Sequence, residues 1–150
     1  MSNIADITVF DGAATPVSHT LKAVSVTRAN NEVVAEWRES LASVPTIAQV
    51  RAQMKVTRMK SGVYRTELRV AVPVMESVSG ANSSGYTAAP KVAYENTIVI
   101  TGFFHERADV AGRRLARQLA INLAGNISTS VAAATAGPLP ELFDMLVAPT

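Results

Sequence analysis

Between positions 47 and 75, six cationic side chains (Arg51, Lys55, Arg58, Lys60, Arg65 and Arg69) stand against one carboxylate, Glu67. That stretch carries +5, while residues 1–46 carry −2 and residues 76–150 carry −1, leaving +2 for the whole chain. Cations concentrated in this way suit the neutralisation of a polyanion, with release of its counterions. Gln53 and Thr57, interleaved among them, add neutral donors for bases or phosphates. An ordinary solvated sheet face also collects such residues, but it does not require the charge to cluster.

Other chemistries find less support. His19 and His105 are the only histidines, and neither has a second ligand three or four residues away, so no metal is expected. The absence of cysteine removes disulfides, thiolate ligands and a thiol nucleophile. Gly80 and Gly85 have phosphate-loop spacing, yet Tyr86 stands where the lysine would be needed. The acidic residues are scattered, and no Gly-x-Ser-x-Gly elbow occurs. Neither catalysis, nor a cofactor, nor a small-molecule substrate is expected. Arg113, Arg114 and Arg117 read as the solvated flank of a helix.

Alternation and helical periodicity must position these groups. From Gln49 to Lys60 the odd positions are mostly polar, and the even ones read Val50, Ala52, Met54 and Val56. From Val63 to Met75, Arg65, Glu67 and Arg69 alternate with Tyr64, Leu68, Val70, Val72 and Val74. Sustained period-two patterning predicts two strands, each with one wet face and one buried face. Lys60-Ser61-Gly62 between them is a turn, so the pair forms a long hairpin. Val92–Phe104 is a further strand, reached through the Ser/Gly-rich loop Ser77–Pro90. Its alternation places Lys91, Glu95, Thr97 and Thr101 with the polar set, and Ile98 and Ile100 with the core. A one-residue shift would expose Tyr94 and Asn96 instead. Leu21–Arg28 and Glu32–Arg38 are shorter strands, and Ile4–Phe10 with Asp11-Gly12 begins an opening hairpin over about 4–18.

After Phe104 the period changes. Ala108, Ala111, Leu115, Leu119 and Leu123 recur at helical spacing over about 106–125, and Gly125-Asn126 ends the run. Pro138 opens a second helix over about 138–147 that carries Leu142 and Phe143. Strands first and helices last make a single α+β domain of 150 residues. Two helices cover only part of one sheet face. The leucine strip Leu115, Leu119 and Leu123, joined by Leu142 and Phe143, therefore asks for a second copy of the chain. Only 17% of residues are charged and mean hydropathy is slightly positive, in keeping with a surface that other copies cover. No signal peptide or membrane-spanning run is visible, so no membrane partner is expected.

The tract VVAEW at Val33–Trp37, the hairpin ending YRTELRVAVP at Tyr64–Pro73 and the order of the elements resemble the coat proteins of single-stranded RNA bacteriophages (Leviviridae). The resemblance runs from about Asp6 through the last helix. It implies an opening hairpin, a five-stranded antiparallel sheet, and two C-terminal helices that clasp a partner subunit. It further implies homodimers whose sheets join edge to edge and assemble into an icosahedral capsid in the bacterial cytoplasm. Their inner sheet face would bind genomic RNA, including an operator hairpin that represses replicase translation. The loop over 76–90 would adopt more than one conformation. On this reading Arg51, Gln53, Lys55, Thr57, Arg65, Glu67, Arg69, Lys91, Glu95 and Thr97 form the RNA face. Glu67 serves as a pairing residue for Arg65 or Arg69. The short turn at Ser61-Gly62, with Val63 beside it, departs from the family's best-known members and bears on which operator is recognised. The competing reading is a dimeric cellular RNA-binding regulator that never forms a shell.

Overall fold

The computed structural model describes residues 3–77, 80 and 83–150. Six strands lie side by side in chain order in one antiparallel sheet. They are β1 (Ile7–Phe10), β2 (Ser18–Ala29), β3 (Glu32–Glu39), β4 (Arg51–Arg58), β5 (Val63–Met75) and β6 (Val92–His105). Helices α1 (Val110–Ala124) and α2 (Pro138–Asp144) follow. The opening hairpin and the five-stranded sheet expected from sequence are thus one ladder. β1 pairs with the first four residues of β2, which continues unbroken into the strand opposite β3. The expected mobile loop falls partly on residues 78, 79, 81 and 82, which lie outside the described residues.

The β4–β5 hairpin forms where alternation places it, and Gly62 at its tip takes φ +80°, a conformation that favours glycine. Even-numbered β4 residues Ala52, Met54 and Val56 are buried beside Ala35 and Trp37 of β3. α2 seals this face. Gly137 enters it at φ 110°, Pro138 supplies a preset first turn, and Leu142 and Phe143 descend onto the sheet. Phe143 meets Phe104 edge-on at 6.2 Å. Burying a side chain of this size contributes roughly 1.5–3 kcal/mol. Trp37 lies in the middle of the core, its indole N–H donating 2.8 Å to the Ala5 carbonyl. The Ile4 N–H donates 2.7 Å to the carbonyl of Thr150, drawing both ends of the chain over the tryptophan.

Two expectations need correction. Leu142 and Phe143 are 0% and 4% exposed inside the subunit's own core, so they do not line a surface for another copy. α2 lies directly over β4 and β5, and periodicity alone cannot separate a home core from a partner's. Arg113 and Arg117 are not a solvated flank either, for both are buried. Arg117 and Arg114 hold the carboxylate of Asp144, while Arg113 donates to the carbonyls of Asp144 and Ala108. Burial would raise the Asp144 pKa, but hydrogen bonds from Arg117 and Arg114 outweigh it and hold the carboxyl below its usual range. α1 begins at Asp109, which caps the helix by accepting from the Gly112 N–H at 2.8 Å, and it packs chiefly against α2.

Candidate nucleic-acid interface

In an antiparallel ladder, directly paired residues share a face. The registers therefore define rows running across the sheet from β3 to β6. The first reads Arg38, Arg51, Ala71 and Thr97; the second Glu36, Gln53, Arg69 and Val99. The third reads Val34, Lys55, Glu67 and Thr101; the fourth Glu32, Thr57, Arg65 and Phe103. Glu95 stands opposite Pro73 at one corner. Eight of the residues expected on the RNA face are thereby brought together: Arg51, Gln53, Lys55, Thr57, Arg65, Glu67, Arg69 and Thr97. Glu95 joins them, and Lys91 does not. Lys91 precedes β6, beyond a bulge at Val74/Met75, and lies 3.6 Å from Glu76. Tyr94 and Asn96 pair with Val74 and Val72 on the opposite face.

The rows add what a linear charge count misses. β3 and β6 bring Glu32, Glu36 and Glu95 onto the face, so five cations (Arg38, Arg51, Lys55, Arg65 and Arg69) meet four carboxylates. Lys55 lies 2.6 Å from Glu32, whose pKa that bond lowers, and Arg65 donates to Glu67 at 2.5 Å. Arg51 is paired with Glu95, and Arg69 lies 3.8 Å from the same carboxylate. Glu36 accepts from Gln53 at 2.9 Å and from Ser25 at 3.3 Å. The floor is polar and half-exposed, dense in donors, and much less cationic than residues 47–75 alone. Glu67 and Glu95 act there as counter-charges. Arg38, absent from the sequence reading, is visible only once β3 is laid against β4.

The opposite side of the molecule carries uncovered apolar surface. Ile98 is 70% exposed, and Val72, Tyr94 and Ile100 of the same face are also exposed. Leu115, Leu119 and Leu123 form a strip along α1, and Leu123 is 81% exposed. β6, with fourteen residues, is an outermost strand whose free edge has no neighbour among the described residues. No metal-binding group of His, Asp or Glu occurs among the described residues, and no helix is long and apolar enough to cross a membrane. His19 instead places its Nδ1 2.9 Å from the buried carboxylate of Glu39.

The model of the levivirus coat protein family matches residues 2–137. No curated protein matches the chain. Among solved structures, the virus-like particle of bacteriophage EMS014 is similar at 28% identity and TM-score 0.71, over 98% of this chain and 99% of that one. The virus-like particle of bacteriophage ESE058 has 21% identity and TM-score 0.71 over 99% of each chain. The protein capsid of bacteriophage GA has 18% identity and TM-score 0.55, over 95% of this chain and 94% of that one. These last two show the fold.

Proposed function

Because the chain belongs to the levivirus coat protein family and is a structural protein of the virion capsid, we propose that it works as a homodimer joined along β6, with the polar floor turned to genomic RNA. The supporting observation is the mismatch between what this chain exposes and what it can cover. A fourteen-residue edge strand leaves a long row of backbone donors and acceptors open, which is a template for another strand. Two copies related by a twofold axis would pair these edges, each bringing its α1 leucines over the other's Val72, Ile98 and Ile100. Both apolar surfaces would leave water together, as a helix strip and a sheet face of similar length can.

Pairing along β6 would also merge two floors into one, doubling the number of donors facing a single RNA. Arginines and lysines would take phosphates, exchanging the carboxylates they now hold, while Gln53, Thr57, Thr97 and Thr101 would supply hydrogen bonds to sugar, base or phosphate. Assembly would take place in the bacterial cytoplasm, where the RNA is made.

The test is expression of the chain alone in a bacterial host. Particles containing RNase-protected RNA, which sediment as dimers once disassembled, are the expected result. Monomers after gentle disassembly would overturn the β6 pairing, and particles that exclude RNA would overturn the floor's assignment.

A further inference from the structure

The floor is not flat. In its first row the small Ala71 stands between Arg51 and Thr97, and a bulge at Val24 in β2 turns the neighbouring corner. The result is an open concavity of about 280 Å³, ringed by Glu36, Arg38, Arg51, Gln53, Arg69 and Glu95. Three guanidiniums there face two carboxylates. Arg51 and Arg69 already share Glu95. Arg38 has no side-chain hydrogen bond or ion pair among the described residues, although it stands directly opposite Arg51, where like charges repel. It is a five-donor fork beside the concavity with no acceptor among the described residues.

The volume lies at the small end of ligand sites, enough for one heterocyclic base. Single-stranded RNA is read through splayed bases, by hydrogen bonds at their edges and by stacking on guanidinium planes. Among the bases, guanine offers the adjacent acceptors O6 and N7 that match an arginine fork, whereas adenine presents a donor beside N7. Guanine also carries N–H donors at N1 and N2, and Glu36 offers a carboxylate. Its two oxygens accept one bond each, from Gln53 and from Ser25, and so keep acceptor capacity. Glu36 and Arg38 lie two positions apart on one face of β3, roughly 7 Å along the strand, comparable to the long edge of a purine.

We infer that this concavity is a base-specific subsite taking an unpaired guanine, with Arg38 donating to O6 and N7 and Glu36 accepting from the N1 and N2 edge. The inference rests on the RNA-binding role proposed for the floor and adds to it a base identity and two residues that set it.

Fluorescence anisotropy on disassembled protein tests it, using an unstructured all-uridine decamer and versions with one central guanine, adenine or cytosine. The guanine decamer should bind at least tenfold more tightly than the others. In Arg38→Ala and in Glu36→Gln the guanine decamer should bind no more tightly than the all-uridine decamer measured on the same variant. Equal binding of all four decamers, or a guanine preference that survives both substitutions, overturns this inference alone. Failure of every decamer to bind, even at low salt, overturns the RNA-binding floor and the subsite together.

Discussion

Arg117 holds Asp144 through two parallel bonds, Nε to Oδ1 at 2.8 Å and a terminal nitrogen to Oδ2 at 3.0 Å. Their side chains are 4% and 0% exposed. This fork, with Arg114 adding a third bond at 3.0 Å, fixes the direction in which α1 leaves α2. It thereby sets where the leucine strip points. Bidentate pairs of this kind are geometrically demanding, and breaking one inside a protein strands a charge.

Asp144→Ala should therefore lower stability by about 3–5 kcal/mol, since the arginines would lose their counter-charge in a dry site. Urea unfolding of the disassembled protein reads this directly. A loss below about 1 kcal/mol would mean that water reaches the cluster and the pair does not fix α1.

The same carboxylate gives a pH dependence. Its folded pKa lies below the unfolded value of about 3.9, so its contribution is complete above that value and disappears as pH falls through the lower folded pKa. Unfolding midpoints should be flat from pH 7 to pH 5 with respect to this group and fall below about pH 4. Asp144→Asn should lose part of that acid sensitivity. An identical acid profile in the variant would assign the sensitivity to other carboxylates.

Leu119→Asp changes a side chain exposed in the single subunit, so the subunit should still fold. If α1 covers a partner's sheet, the variant places a charge in that contact and dimers should dissociate by tenfold or more. Ile98→Asp should do the same from the other side. Sedimentation equilibrium distinguishes the outcomes, and wild-type dimerisation in both variants would refute the clasp.

Replacing Arg65 and Arg69 together by Glu should reduce packaged RNA while near-normal folding is retained, because both side chains lie on the exposed face. If each contacts a phosphate, the slope of log K against log salt should shrink by about 1.4. Unchanged packaging would place RNA on another surface.

Gly102 faces the other side of β6, toward the core. A Cβ there would lie 2.6 Å from Cε2 of Phe104 and 3.0 Å from the Thr66 hydroxyl. Phe104 is held edge-on by Phe143, so Gly102→Ala should cost about 1–3 kcal/mol by overpacking. Thermal unfolding measures it, and a neutral result would show that the phenylalanine pair yields easily.

The β4–β5 hairpin was legible because its alternation is long and its turn carries a glycine. The continuity of β1 with the sheet was harder to see. β2 opens with the polar run Ser18-His19-Thr20, which carries no apolar alternation, so the strand read as starting at Leu21 and the segment before it as a separate hairpin. The floor's charge was half legible: the basic residues are neighbours in sequence and alternation put Glu95 beside them, whereas Glu32 and Glu36 arrive on β3, formed by a distant segment. Arg113 and Arg117 have helix-flank spacing, and only the fold brings Asp144, 27 residues beyond Arg117, against them. Leu142 and Phe143 matched a dimer strip in residue type, but α2 turned them inward.

Because each glutamate of the floor already accepts a bond from a neighbouring donor, this surface comes with built-in counterions. A container lined with it would not push its own walls apart when empty, as a purely basic lining would. On the proposed reading cargo would enter by substitution, one anion for another, so closing the shell and filling it would become separable events.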